Sequence, residues 1–157
     1  MLWLFANLAS GQTLKLHNEE VLFSFQTIQG KIALIARDTL DQYLIYRFGK
    51  TNAIEVEFPE KTKESWSRFS YSYYFRGGGA GNEGLDLNYL YFIRDDFKYV
   101  LYDVYYAVTD KQEVGIKVIN LKDSTTTILK GKLKTLKGSL INFRGNELVK
   151  EGEEMFD

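Results

Sequence analysis

The chain has no cysteine, one proline, one histidine and two methionines in 157 residues. Without cysteine there is no disulfide, no thiolate metal site and no cysteine nucleophile, and the redox compartment cannot be read from pairing. With His17 as its sole histidine the chain has no histidine pair for a metal ion, and no serine sits in a nucleophile motif, so no metal is expected. His17, Glu19 and Glu20 are read as ordinary surface residues of the lead-in to the first strand. No cofactor is expected either.

Large charge of one sign is also lacking: the formal net charge is -1. Nothing global draws the chain to nucleic acid or to an anionic membrane. The longest strongly apolar run, Met1 to Ala9, is far shorter than the roughly 20 residues that cross a bilayer as a helix. That run ends in Ala9-Ser10-Gly11, like the apolar region and cleavage site of an export signal, but it lacks a basic start. Residues 1–12 therefore carry three readings: a signal whose start lies upstream, which is preferred, a terminal segment docked on the core, or a cloning remnant. Residues 13–157 read as a single domain.

What the chain has in excess is aromatic surface, with 11 tyrosines and 11 phenylalanines. Aromatic and β-branched residues favour strands. Runs at 21–28, 31–37, 42–48, 54–58, 68–76, 85–93, 99–108, 114–121 and 125–129 are separated by turn signals at short, regular spacing. Gln29-Gly30 supplies a tight hairpin turn, and Pro59, which lacks a backbone donor, ends the fourth run. The charged stretch 60–67 around Trp66 reads as a loop or a single helical turn covering one end of a sheet. A last hairpin is expected to join 139–143 with 148–150 across Gly145-Asn146, and the acidic tail beyond Glu151 to fray. The fold class is all-β, an antiparallel meander forming a small β-barrel or β-sandwich with little helix.

Candidate functional residues are few. Arg76-Gly77-Gly78-Gly79-Ala80-Gly81-Asn82-Glu83-Gly84 is the most unusual composition in the chain, and Gly79 to Gly84 matches G-x-G-x-x-G. A dinucleotide fingerprint needs a helix after the glycines, whereas Leu85 to Ile93 alternates like a strand. The loop reads either as a plain connection or as a binding loop, with Gly77, Gly78 and Gly79 allowing close approach and Arg76, Asn82, Glu83 and the nearby Tyr74 and Asp86 making contacts. Asp103 lies among Tyr99, Leu101 and Tyr105. A carboxylate in such surroundings could serve as a general acid, and with Glu83 or Asp86 it makes the weak catalytic candidate of the chain. Lys130, Lys132, Lys134 and Lys137 form a basic stripe that meets an acidic partner or phosphate groups, or protects a strand edge.

The segments Tyr46-Arg47-Phe48-Gly49, Ile54 to Pro59 and Phe69 to Tyr73, with the Arg76-Gly77-Gly78-Gly79 loop, resemble small exported bacterial β-proteins to which no activity is attached. The resemblance covers about the middle half of the chain and implies a bacterial origin and a periplasmic or secreted location; the alternative is cytoplasmic. Such relatives can carry a cysteine pair in the first hairpin, where this chain has Phe25 and Ile35 or Ala36. The leading functional expectation is a non-catalytic protein that binds a protein partner, such as an inhibitor or an immunity protein. The alternatives are a carboxylate-dependent hydrolase or glycan binder, and an envelope structural protein that self-associates through a strand edge.

Overall fold

The computed structural model describes residues 14–156, so the expectations for residues 1–12 lie outside the described residues. Among the described residues eleven strands run in chain order: β1 Glu19–Gln26, β2 Ile32–Asp38, β3 Leu44–Lys50, β4 Ala53–Phe58, β5 Ser70–Arg76, β6 Leu85–Arg94, β7 Phe97–Tyr106, β8 Lys111–Asn120, β9 Thr126–Lys130, β10 Lys137–Gly138 and β11 Lys150–Glu151. Strands β10-β1-β2-β3-β4 form one sheet and β11-β5-β6-β7-β8-β9 the other. The two pack face to face as a β-sandwich, each a meander extended at one edge by a two-residue strand from the C-terminal part of the chain.

Alternation assigns the faces. Phe23, Phe25, Ala33, Ile35, Leu44 and Tyr46 point inward from the first sheet, and Tyr71, Leu90, Phe92, Leu101, Val114 and Ile116 from the second; all are buried in one core. Phe92 is central. Its ring stacks on Phe58 at 4.5 Å and on Tyr99 at 5.0 Å, and lies 5.1 Å from Tyr46 and 5.4 Å from Phe69. The stretch before β5 forms a 3-10 segment, Lys63–Arg68, whose buried Trp66 closes one end of the core. Its Ser65 Oγ accepts from Leu44 N at 2.8 Å, and Trp66 Nε1 donates to the Asp41 carbonyl at 3.2 Å, fixing that lid to the first sheet.

Two expectations for the C-terminal part are corrected. Residues 139–143 and 148–150 do not form a hairpin: Leu140–Phe143 is a 3-10 turn, β10 pairs antiparallel with β1, and β11 pairs parallel with β5. Gly138 explains the first pairing, because at φ +73 it lies against the Leu22 carbonyl where β1 bulges, and a Cβ there would collide with that oxygen. Nor does the tail fray. Ser72 Oγ donates to the Glu154 carbonyl at 2.5 Å, Lys98 pairs with Glu154 at 2.6 Å, and Lys117 donates to the Phe156 carbonyl. Phe156 lies edge-on to Tyr89 at 5.4 Å and Tyr91 at 5.0 Å. Those tyrosines alternate outward along β6, so the second sheet has an apolar outer face, and the tail covers part of it. Phe156→Ala is expected to cost about 2 kcal/mol, the scale of one buried aromatic side chain, measured by urea unfolding.

The first sheet also buries its outer face. Leu34, Ala36, Tyr43 and Ile45 are buried there with Leu14. Beside them Arg47 and Glu19 form a fully buried pair, with Nη1 to Oε2 at 2.6 Å and Nη2 to Oε1 at 2.9 Å. Glu19 is therefore no surface acid, which corrects its reading from sequence. The partly exposed Glu57 is Arg47's second partner at 2.6 Å. Among the described residues no helix is long and apolar enough to cross a membrane.

Candidate functional site

Strand register builds the site at one end of the second sheet's inner face. Across that sheet Tyr73, Asn88, Asp103 and Val114 form one row, and Phe75, Asp86, Tyr105 and Gln112 the next. Core packing gives out across these rows: Val114, Asn88 and Asp103 are still buried, whereas Tyr73 is 47% exposed and Phe75 59%, and Tyr105 is exposed as well. The face thus changes from buried apolar core to a shelf of exposed rings and polar side chains within the length of two residue pairs.

Arg144, just past the 3-10 turn Leu140–Phe143, organises the shelf. Its guanidinium lies 4.5 Å above the Tyr73 ring and 5.6 Å from that of Phe75, a cation held against two aromatic faces. Nη2 pairs with Asp86 and donates to Asn88 Oδ1 at 2.9 Å. The same oxygen accepts from the Tyr71 hydroxyl at 2.6 Å, while Asn88 Nδ2 donates to Asp86 Oδ1 at 2.7 Å and to the Asp103 carbonyl at 3.2 Å. Burial pushes the Tyr71 phenol up to about 12 against the opposing pull of Arg144, so it stays a neutral donor. Among the described residues Arg144 Nε, which is buried, has no hydrogen-bond partner. That leaves one donor of the network unused, where a donor of a charged group is costly to leave unmade.

Asp103 positions this network from below. It is buried; its Oδ1 accepts from Gln112 Nε2 at 2.9 Å, and its Oδ2 from Ser139 Oγ at 3.1 Å and Leu140 N at 3.4 Å. Ser139 Oγ in turn accepts from Ile141 N at 3.2 Å and caps the 3-10 turn that presents Arg144. Asp103 is therefore a positioning residue for the Ser139–Arg144 segment. Asp86 shares its face but is paired with a cation. Glu83 does not join them: it is exposed, and its carboxylate is 4.0 Å from Arg76. The three acids proposed from sequence form no convergent catalytic set, because Asp103 is held by donors of its own chain and Glu83 faces elsewhere. Among the described residues no group of three or more acidic or histidine side chains is arranged to hold a metal ion.

The glycine loop is closed on itself. Arg76 Nε and Nη2 donate to the Glu83 carbonyl at 3.0 and 2.7 Å, Asn82 Nδ2 donates to the Gly77 carbonyl at 2.8 Å, and Gly84 N to the Gly79 carbonyl at 2.9 Å. Gly78 and Gly79 take φ +91 and +65, which a side chain would resist. Arg76 and Asn82, read from sequence as ligand contacts, thus tie the loop together, and strand β6 rather than a helix follows it. Gly77, Gly78 and Gly79 are exposed at its tip. Tyr74 is exposed on the opposite face of β5 from Tyr73 and Phe75, so aromatic rings flank the base of the loop on both sides.

Sequence reading missed Arg144, Asn88 and Phe75 as site members. Arg144 lay in a segment taken for a hairpin, and it meets Asp86 across 58 residues of chain, a separation no local pattern encodes. Phe75 carried a usable signal, being the last inward position before the glycine loop, where a sheet outruns its core. A cavity of about 300 Å³ adjoins the shelf, walled by Tyr71, Tyr73, Phe143, Asn146, Val149 and Gly152. The chain matches no family model, and neither a curated protein nor a solved structure is significantly similar to it.

Proposed function

We propose that this is a non-catalytic binding protein that holds a protein partner through the aromatic shelf, in the manner of an inhibitor or immunity protein. The observation that carries this reading is the grouping of exposed Tyr73, Phe75 and Tyr105 around the Arg144–Asp86 pair. Tyrosine and arginine are the residues that dominate binding energy at protein interfaces, and they do so when held rigidly. Here the guanidinium is fixed by an acid, an amide and two rings, so little side-chain freedom is lost on contact. The glycine loop, closed by Arg76 and Asn82, stands beside the shelf as a preformed rim.

A photo-crosslinking amino acid placed at position 75, with position 54 on β4 as control, tests this in lysate and envelope fractions of the source cells. A single protein captured at 75 and not at 54 is expected. Its affinity should fall by about tenfold or more in Phe75→Ala, the loss of a hot-spot ring, while the unfolding midpoint stays close to that of the parent. Equal capture at both positions, or none, would sink the reading.

The cavity beside Tyr73 favours a second reading, a glycan or other small ligand stacked on the paired rings of Tyr71 and Tyr73, which lie 5.9 Å apart. A thermal shift with a glycan panel that disappears in Asn146→Trp, a substitution that fills the cavity mouth, would move the assignment there.

A further inference from the structure

On the outer face of the second sheet, strand register sets Ser72, Tyr89, Tyr102 and Gly115 in one row across β5 to β8, and Ser70, Tyr91, Val100 and Lys117 in the next. The tail Gly152-Glu153-Glu154-Met155-Phe156 crosses these rows, and the sheet reads its backbone and its side chains separately. Gly152 N donates to the Tyr71 carbonyl at 2.8 Å, and a Cβ at this position would strike the Tyr91 hydroxyl. Ser72 Oγ and Lys117 Nζ donate to the carbonyls of Glu154 and Phe156, two residues apart, the repeat of an extended segment. Lys98 Nζ holds the Glu154 carboxylate at 2.6 Å and lies 5.6 Å from the Phe156 ring, which Tyr89 and Tyr91 receive edge-on. Backbone hydrogen bonds with a pocket for an alternate side chain are how sheets recognise extended peptides.

The receiving groups belong to the sheet, and the sheet holds them. They stand on adjoining strands in unbroken register, with Lys98 Nζ 5.7 Å from the Tyr91 ring and Lys117 Nζ 5.7 Å from that of Tyr102. The tail is held lightly by comparison: Glu153, Glu154 and Met155 are exposed, and Phe156 is its one buried side chain. The site is also larger than this occupant. A hollow of about 300 Å³ runs from Phe156 over Tyr102, Val104, Tyr106 and Ile128, and of the described tail only Phe156 lines it. Lys117 and Lys130 stand on its rim, whereas the acid there, Glu113, is paired with Lys111 at 2.7 Å. The unmatched charge around this apolar floor is therefore positive.

We propose that this face is a peptide-binding site for an extended acidic segment of a partner protein, with an aromatic residue two places after a glutamate and apolar residues beyond it. The chain's own tail fills the first half of the site until such a segment displaces it. Charge selects the occupant: Lys98 already holds a carboxylate, and Lys117 and Lys130 continue the same sign past the aromatic seat. The tail of a second copy is a poorer candidate, because each tail is kept at its own seat by an effective concentration on the order of millimolar, and its described part offers nothing to the hollow. The aromatic shelf lies on the other face of the same sheet, so the two sites do not compete.

The test titrates the synthetic peptide Glu-Glu-Met-Phe-Leu-Leu into the isotope-labelled full chain and reads amide shifts by NMR. In the full chain, Glu154→Gln with Phe156→Ala empties the seat, and this variant should bind the peptide about tenfold or more tightly than the parent, whose tail competes. Glu154→Gln alone, which keeps the ring, should show the same preference in smaller measure. Shifts should centre on Tyr89, Tyr91, Val100 and Lys117, and adding Lys98→Glu, or replacing the peptide's Phe with Ala, should abolish them. The proposal is overturned if both emptied variants stay silent at millimolar peptide, if the shifts centre on Tyr73 and Phe75, or if the parent binds as tightly as the variants. A parent that elutes as a dimer and becomes a monomer when the seat is emptied would also overturn it, since tails would then be exchanged between copies.

Discussion

Glu19→Gln is expected to destabilise the protein by about 3–5 kcal/mol, the cost of breaking a buried ion pair from one side. Glu19 and Arg47 are both inaccessible to solvent, and Glu19 also accepts from Leu16 N at 2.7 Å and from the Tyr43 hydroxyl at 2.8 Å. Arg47 further donates to the Leu14 carbonyl at 3.1 Å. Neutralising the acid leaves a guanidinium in the sheet's outer face with only the half-exposed Glu57 to balance it. Replacing both partners at once, as Glu19→Leu with Arg47→Met, should cost far less, since it removes the desolvated charges together. Chemical unfolding of the three variants measures the difference, and a double variant as unstable as Glu19→Gln would refute the argument.

The same pair sets a pH dependence. Burial raises the Glu19 pKa, but Arg47, the Leu16 amide and Tyr43 outweigh it, and the carboxyl ends below its ordinary value of 4.5. A carboxyl lowered by folding contributes stability that is complete above its unfolded pKa and lost as pH falls through the lower folded value. The parent should therefore lose stability below about pH 4, more steeply than Glu19→Gln, which has no proton to gain at this position.

Phe92→Ala should rival that loss, at about 3–5 kcal/mol. Four aromatic rings from both sheets and from the β4 end contact Phe92, so truncation opens a void between layers that no single side chain can collapse into. Phe92→Leu should recover much of the stability, because it restores most of the volume. Urea denaturation decides it: equal midpoints for Phe92→Ala and the parent would mean that the stack is not the centre of the core.

The glycine loop shows how far local chemistry reaches. Its composition marks it in the chain, and the alternation of Leu85 onward correctly excludes a helix behind it. Yet the roles of Arg76 and Asn82 depend on where the loop's own carbonyls come to lie, and those are set by the fold of the loop. Asp103 is similar. Its place on an inward face was legible from Tyr99, Leu101 and Tyr105, but its partners Ser139 and Leu140 arrive from another part of the chain. Glu19 looked like one of two neighbouring surface acids, and only the position of Arg47 across the sheet makes it a buried ion.

By itself the sequence determined where strands β1 to β9 lie and that the protein is all-β, because strand period and turn chemistry are local properties. Tertiary structure alone decided the sandwich, which face of β6 turns inward, the tail laid over the second sheet and the Arg144 network. Each of these depends on segments far apart in sequence, and which of them meet is a pairing that no short stretch of chain encodes.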